Sequence, residues 1–181
     1  MILKVDSSIT GENSVSRQLT AAIVEQLQHA DPLAQVTYRD VVAAPLPHFV
    51  IGEEKNESVE EFLMADTVVI GAPMYNFSVP SQLKAWIDQI LVAGRTFKYT
   101  DTGVVGLAGP KRIIVAVSRG GFYRADTPMA AMEHLESYLR AVFAFIGLEP
   151  EFVIAEGVQL GPDHQAKAIE EALDHISRLA A

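Results

Sequence analysis

Five short apolar runs punctuate the chain, and the stretches between them repeat their apolar residues at helical spacing. The runs are Ile2-Leu3-Lys4-Val5, Gln35-Val36-Thr37-Tyr38-Arg39, Thr67 to Ala72, Lys111 to Val117 and Glu151 to Ala155. Runs of this length that stay apolar on both faces read as buried strands. After the first comes a helix capped by Ser14 or Asn13 and running to about Gln28, with Leu19, Ile23 and Leu27 on one face. Further helices are expected over Ser58 to Met64, over Ser81 to Ala93 with Leu83, Trp86, Ile87 and Ile90 inward, and over Pro128 to Ile146, stopped by Gly147. A terminal helix is expected over Asp163 to Leu179, with Ala168, Ala172 and Ile176 on one side. Strands alternating with helices make an α/β sandwich with a largely parallel sheet and right-handed crossovers. Periodicity does not reveal strand order.

With 181 residues, 49% of them apolar, the chain can fill one substantial core, and its length calls for no second domain, so residues 1–181 read as one. The connections Pro45 to Glu57 and Thr96 to Pro110 are short enough to be loops within that domain. A formal charge of −9 without a Lys/Arg cluster disfavours a nucleic-acid partner. The absence of cysteine removes disulfides, thiolate nucleophiles and Cys–metal sites together. The five histidines are scattered, without spacing that argues for zinc. No long apolar stretch and no signal pattern are present, which leads to the expectation of a soluble cytoplasmic protein without a membrane partner.

Chemistry concentrates where three strands end. Ser7 to Arg17 leads from the first strand into a helix whose first amides lack intrahelical partners and whose dipole favours an anion. Ser8, Ser14 and Ser16 add hydroxyl donors, and Arg17 can offset charge, so the loop suits a phosphate monoester. With only Gly11 it matches neither the dinucleotide fingerprint nor a Walker loop. Glu12 fits only if it turns to solvent. The plain alternative is a serine-rich cap and turn.

After the third strand, Pro73-Met74-Tyr75-Asn76-Phe77 sets two aromatic side chains around an amide, which suits a planar ring with polar edges. Its plain alternative is a pair of rings plugging the rim of the core. After the fourth strand, Ser118-Arg119-Gly120-Gly121-Phe122-Tyr123 brings flexible backbone that can approach a ring edge, or makes only a tight turn. A phosphate at one strand end and a planar ring at the next describe flavin mononucleotide, with amides near the ring favouring its reduced, more negative form.

These motifs, with Thr96-Phe97-Lys98-Tyr99-Thr100, Phe145-Ile146-Gly147 and Ala155-Glu156-Gly157, resemble those of the flavodoxin-like FMN-dependent NADH-azoreductase family, related to NAD(P)H:quinone oxidoreductases. The resemblance covers nearly the whole chain. It implies a flavodoxin-like three-layer sandwich with a five-stranded parallel sheet in the order 2-1-3-4-5, and a homodimer. It implies FMN contacts from Ser8, Ser14, Val15 and Ser16 to phosphate, from Pro73, Met74, Tyr75, Asn76 and Phe77 to ring or ribityl, and from Ser118, Gly120 and Gly121 to the ring edge. Phe97 and Tyr99 are expected to enclose substrate from the interface, and Phe122 and Tyr123 to shape the pocket. The implied reaction has two strokes: NADH or NADPH delivers hydride to FMN, then a quinone or aromatic azo compound takes two electrons. No side chain is assigned as an indispensable proton donor.

The chain departs from the family pattern twice. The segment between about Val50 and Glu61 is shorter, and Phe122-Tyr123 stands where an aliphatic residue and a histidine are often found. Both bear on substrate shape and nucleotide preference rather than on FMN. Two rival functions share the fold: a flavodoxin-like electron carrier docking a protein partner, and a scaffold without flavin.

Overall fold

Alternate residues of the two central strands enter different cores. In β3 (Thr67–Pro73), Val68 and Ile70 join one apolar cluster and Val69 the other; in β6 (Arg112–Arg119), Ile113, Val115 and Val117 oppose Ile114 and Ala116. That is the two-residue period of a strand buried on both faces. The computed structural model describes residues 1–50 and 57–179.

With β1 (Ile2–Asp6), β2 (Val36–Asp40) and β7 (Pro150–Glu156), these strands form one five-stranded sheet in the order β2-β1-β3-β6-β7. Every pairing in it is parallel. Counting only the strands of this sheet, the order is the expected 2-1-3-4-5. Helices α1 (Val15–Ala30) and α5 (Pro162–Ser177) cover one face through Leu19, Ile23, Ala168, Ala172 and Ile176. Helices α2 (Glu57–Met64), α3 (Ser81–Ile90) and α4 (Leu135–Phe145) cover the other through Phe62, Leu83, Trp86, Ile87, Leu139 and Phe143. Burying each such large side chain stabilises the fold by about 1.5–3 kcal/mol, and Phe62 meets Trp86 edge-on at 6.1 Å between ring centroids.

Three sequence expectations need correction. Thr96 to Pro110 is not a plain loop: β4 (Phe97–Thr100) and β5 (Gly103–Gly106) pair antiparallel as a hairpin. Its strand signal is weak because only Phe97 is buried and only Gly106 half-buried, the other strand residues being exposed. The fourth helix starts at Leu135, not Pro128, after a 3-10 turn over Ala130–Met132. The start is set by the Glu133 carboxylate, which accepts from the amides of Leu135, Glu136 and Ser137 and so satisfies the open first turn. Finally, Ser118 and Arg119 belong to strand β6, paired with Ala155 and Glu156, so the loop begins only at Gly120.

Gly147 ends α4 as expected. Its φ is 84°, and Leu148 N–H closes back on Phe143 O at 2.9 Å. Nearby, a Cβ on Gly106 would stand 2.1 Å from Ile146 O, so glycine is what lets the hairpin lie against the end of α4. Among the described residues no helix is long and apolar enough to cross a membrane.

Candidate functional site

The parallel sheet sends the ends of β1, β3, β6 and β7 to one edge, and each of the three motifs leaves a strand there. A 3-10 turn at Gly11–Asn13 follows β1, and Ser14 then caps α1 by accepting from Arg17 N–H at 3.2 Å. Ser8, Ser14, Val15 and Ser16 are all buried, and Ser14 Oγ lies 3.1 Å from Ser16 Oγ. The amides of Val15 and Ser16 have no acceptor among the described residues. Hydroxyls and two open amides at a sixteen-residue helix start form a donor set for an anion. Glu12 is exposed to solvent.

Arg17 does not join that set. Its guanidinium turns away to pair with Asp40 at 2.6 Å, and it donates to Ser8 O from Nη2 at 2.8 Å and from Nε at 3.3 Å. The expectation that it offsets ligand charge is therefore corrected: it braces the backbone of the serine loop. Its hydrogen bond holds the Asp40 carboxyl at about 2, below the usual carboxylate range.

The second motif forms a tight turn. Tyr75 and Ser78 exchange both backbone hydrogen bonds, at 3.0 and 3.1 Å, around Asn76 at φ 48° and Phe77 at φ 72°. Asparagine tolerates this left-handed conformation; phenylalanine costs about 1–2 kcal/mol there. Strain of this sort persists where surroundings hold it, and Phe77 O accepts from His134 N–H at 3.1 Å. The Tyr75 hydroxyl lies 3.2 Å from Ser8 Oγ and accepts from Ile9 N–H at 3.2 Å, so the serine loop and the aromatic turn are joined directly. Pro73 is buried at the end of β3, and Met74 N–H donates to Ser118 O at 2.8 Å.

A cleft of about 970 Å³ opens here, lined by Met74, Tyr75, Asn76 and Phe77, by Gly120 and Tyr123, and by Ile9. Phe77 and Tyr123 meet edge-on at 6.3 Å. Neither Gly120 nor Gly121 has a positive φ, so backbone freedom does not explain them. A Cβ on Gly120 would come within 2.8 Å of Gln159 Oε1, the far end of a flexible side chain; on Gly121 it would make ordinary contact with the Tyr123 ring. Gly121 and Phe122 line a separate groove of about 400 Å³ with Arg124, Met129 and Leu160. Phe122 thus stands apart from the main cleft, while Tyr123 borders it.

The hairpin residues also separate. Phe97 is 7% exposed, and its ring packs on Phe145 at 4.8 Å, so it is a core residue of this chain rather than a pocket wall. Tyr99, beside it, is 72% exposed. Ser118 is buried in the strand, with its carbonyl engaged by Met74.

The sequence reading missed several residues of the cleft: Gln82 and Lys84 at the start of α3, Tyr138 on α4 and Gln159 in the turn after β7. The strand-end rule that selected the other loops would have selected Gln159. Tyr138 sits on an amphipathic helix and reads as core; burial, with the charge of Asp88, pushes its phenol up to about 12, so it stays protonated.

A parallel sheet with an anion-ready helix start tied to an aromatic cleft defines an α/β protein of the flavodoxin type. The model for the flavodoxin-like fold family matches residues 1–180, and the chain belongs to that family. It is 53% identical, over 199 aligned positions covering 99% of this chain and 98% of the relative, to the FMN-dependent NADH:quinone oxidoreductase 2 of Bradyrhizobium diazoefficiens. Among solved structures, an azoreductase from Bacillus anthracis superposes with a TM-score of 0.87 at 29% identity, covering 98% of this chain and 96% of that one. An FMN-dependent NADH-azoreductase from the same species, in complex with FMN, gives 0.84 at 26% identity, covering 99% of each chain. The alignment to the Bradyrhizobium relative is longer than the chain's 181 residues, so that protein carries residues without a counterpart here. The expected shortfall between Val50 and Glu61 bears on residues 51–56, which lie outside those the structure describes.

Proposed function

We propose that the protein is an FMN-dependent NAD(P)H oxidoreductase that reduces quinones and aromatic azo compounds, acting as a single flavodoxin-like domain in each subunit. The observation that carries this is the hydrogen-bonded union of Ser8 with Tyr75, which joins an anion-ready helix start to a cleft sized for a planar ring. The identity to the Bradyrhizobium quinone oxidoreductase supports the same chemistry.

On this reading, the Val15 and Ser16 amides and the hydroxyls of Ser8, Ser14 and Ser16 hold the phosphate. Pro73 to Phe77 flank the ring and ribityl chain, and Ser118, Gly120 and Gly121 meet the ring edge. When bound, FMN supplies the two-electron chemistry between the nicotinamide donor and the acceptor. The residues of this chain position it, keep one face open and shield it with Phe77 and Tyr123. Two such cycles cleave an azo bond to two amines. No side chain is assigned as an indispensable proton donor.

A homodimer is part of the proposal. Tyr99, Val104, Val105, Leu107 and Phe145 present exposed apolar surface on and beside the hairpin, and a second copy would bury it. Tyr99 is then the hairpin residue able to reach a partner's cleft. Sedimentation at assay concentrations checks this: a fully active monomer would remove the interface from the site. We also place the protein in the cytoplasm, without a membrane partner.

The reaction is tested by anaerobic spectral titration of the FMN-reconstituted protein with NADH and NADPH, followed by a panel of quinones and azo dyes. Bleaching by a nucleotide and stoichiometric reoxidation by an acceptor are expected. Failure to bind FMN, or bound FMN that neither nucleotide bleaches, would overturn the reading.

A further inference from the structure

Arg119 is the last residue of β6, immediately before Gly120 and Gly121, and its side chain is only 2% exposed. Its ion pairs are with three carboxylates of the same chain. Nη1 donates to Glu156 Oε1 at 3.0 Å, while Nη2 donates to Glu133 Oε1 at 3.1 Å and to Glu136 Oε2 at 3.0 Å. The three carboxylates lie on two parts of the site's support, the end of β7 and the start of α4. Glu156 ends β7 and also accepts from Tyr123 N–H at 3.0 Å, which fixes the far end of the turn that borders the cleft. Glu133 caps α4, and Glu136 lies in its first turn, where Arg140 also holds it. Burial pushes the Glu136 carboxyl up, but hydrogen bonds from Arg140 and Arg119 outweigh that and leave it below its ordinary range.

The node reaches the opposite wall as well. His134, between Glu133 and α4, donates its backbone N–H to Phe77 O at 3.1 Å, where the backbone is left-handed. One guanidinium thus ties together the turn after β6, the end of β7 and the start of α4, and through α4 the aromatic turn after β3. Nε is buried and has no partner among the described residues. A buried charge with one unsatisfied donor is a poor device for stability alone.

We infer that Arg119 is a positioning residue for the ring site: its buried ion pairs hold the Gly120–Tyr123 turn and the Tyr75–Ser78 turn at the spacing that a bound ring requires. The inference rests on the FMN reading above. Arginine suits the task because its planar fork meets several carboxylates in fixed directions, which a lysine ammonium does not.

The test uses full-length protein and three measurements: FMN dissociation constant by flavin fluorescence, reduction potential of the bound FMN, and melting temperature of the FMN-free protein. Arg119→Lys keeps the charge and removes the fork. Glu156→Gln keeps an acceptor for Tyr123 N–H and weakens the node. Arg112→Lys, which alters the Arg112–Glu151 pair at the opposite end of β6 and β7, controls for loss of an ordinary ion pair. Arg119→Lys is expected to raise the FMN dissociation constant at least about tenfold and to shift the potential, Glu156→Gln to do the same more weakly, and Arg112→Lys to leave both unchanged. If Arg119→Lys does not fold, Glu156→Gln decides. Dissociation constants and potentials equal to those of Arg112→Lys, with any change confined to melting temperature, would overturn the inference. Failure of the unaltered protein to bind FMN would instead remove the functional reading on which it rests.

Discussion

The phenol oxygen of Tyr75 lies 3.2 Å from Ser8 Oγ, across 67 positions of sequence, and links the serine loop to the aromatic turn. Tyr75→Phe keeps the ring and deletes that link together with the acceptor for Ile9 N–H. A hydrogen bond of this kind contributes about 1 kcal/mol net. FMN affinity should fall about fivefold, an amount that corresponds to about 1 kcal/mol, with little change in far-UV circular dichroism; isothermal titration measures it.

Ser14 caps α1 and faces the open amides at the same time, and two substitutions separate these roles. Ser14→Ala should cost about 1 kcal/mol of stability in urea unfolding. Ser14→Asp retains a capping oxygen and favours the helix dipole, so stability should hold. Its carboxylate would repel a phosphate, however, and FMN binding should weaken at least about tenfold. Unchanged binding by the aspartate variant would place the phosphate elsewhere.

Gly120→Ala distinguishes ligand approach from chain folding. The new Cβ meets only the end of the Gln159 side chain, and the backbone is not left-handed, so stability should stay within about 1 kcal/mol of the parent. FMN affinity should nevertheless drop, because Gln159, which lines the cleft, must shift to admit the methyl group. Equal affinity in parent and variant would argue against close contact at this edge.

Gly106→Ala should be far more damaging to the fold. Its Cβ would overlap the carbonyl of Ile146, a backbone group that cannot swing aside. Overpacking of this severity costs about 1–3 kcal/mol or more. Thermal unfolding should show the loss, and the displaced hairpin should weaken self-association in sedimentation.

The Asp40 carboxyl, held at about 2 in the folded protein by Arg17, predicts acid sensitivity with a definite sign. A depressed folded pKa stabilises the protein fully above the unfolded value of about 4, and that stability is lost as pH falls towards 2. Because solvent reaches the pair, the contribution is about 1–2 kcal/mol rather than the full linkage value. Urea unfolding between pH 5 and pH 2 should lose less stability in Asp40→Asn than in the parent.

The same comparison of local and distant causes explains what was legible in the sequence. The central strands were readable because burial on both faces leaves runs such as Val68-Val69-Ile70 no polar option. The start of α4 was not, because the group that opens it, the Glu133 carboxylate, is held in place by Arg119 from a distant strand. Phe97 was expected to enclose substrate because of the family resemblance; its ring is buried against Phe145, 48 positions on, a contact that the local sequence does not show. Tyr138 and Gln159 were missed for the converse reason, since each has an unremarkable local pattern and gains its place only when the elements converge.

The sequence by itself determined the alternation of strands and helices, the serine-rich cap at α1 and the aromatic turn after β3, because apolar periodicity, capping chemistry and turn composition act within a few residues. Only the tertiary structure decided that Arg17 braces a loop instead of facing a ligand, that Arg119 gathers three carboxylates, and that Ser8 and Tyr75 meet. Those outcomes depend on which charged and polar groups the sheet brings together at its carboxyl edge, and burial there forces each to find a partner across the fold.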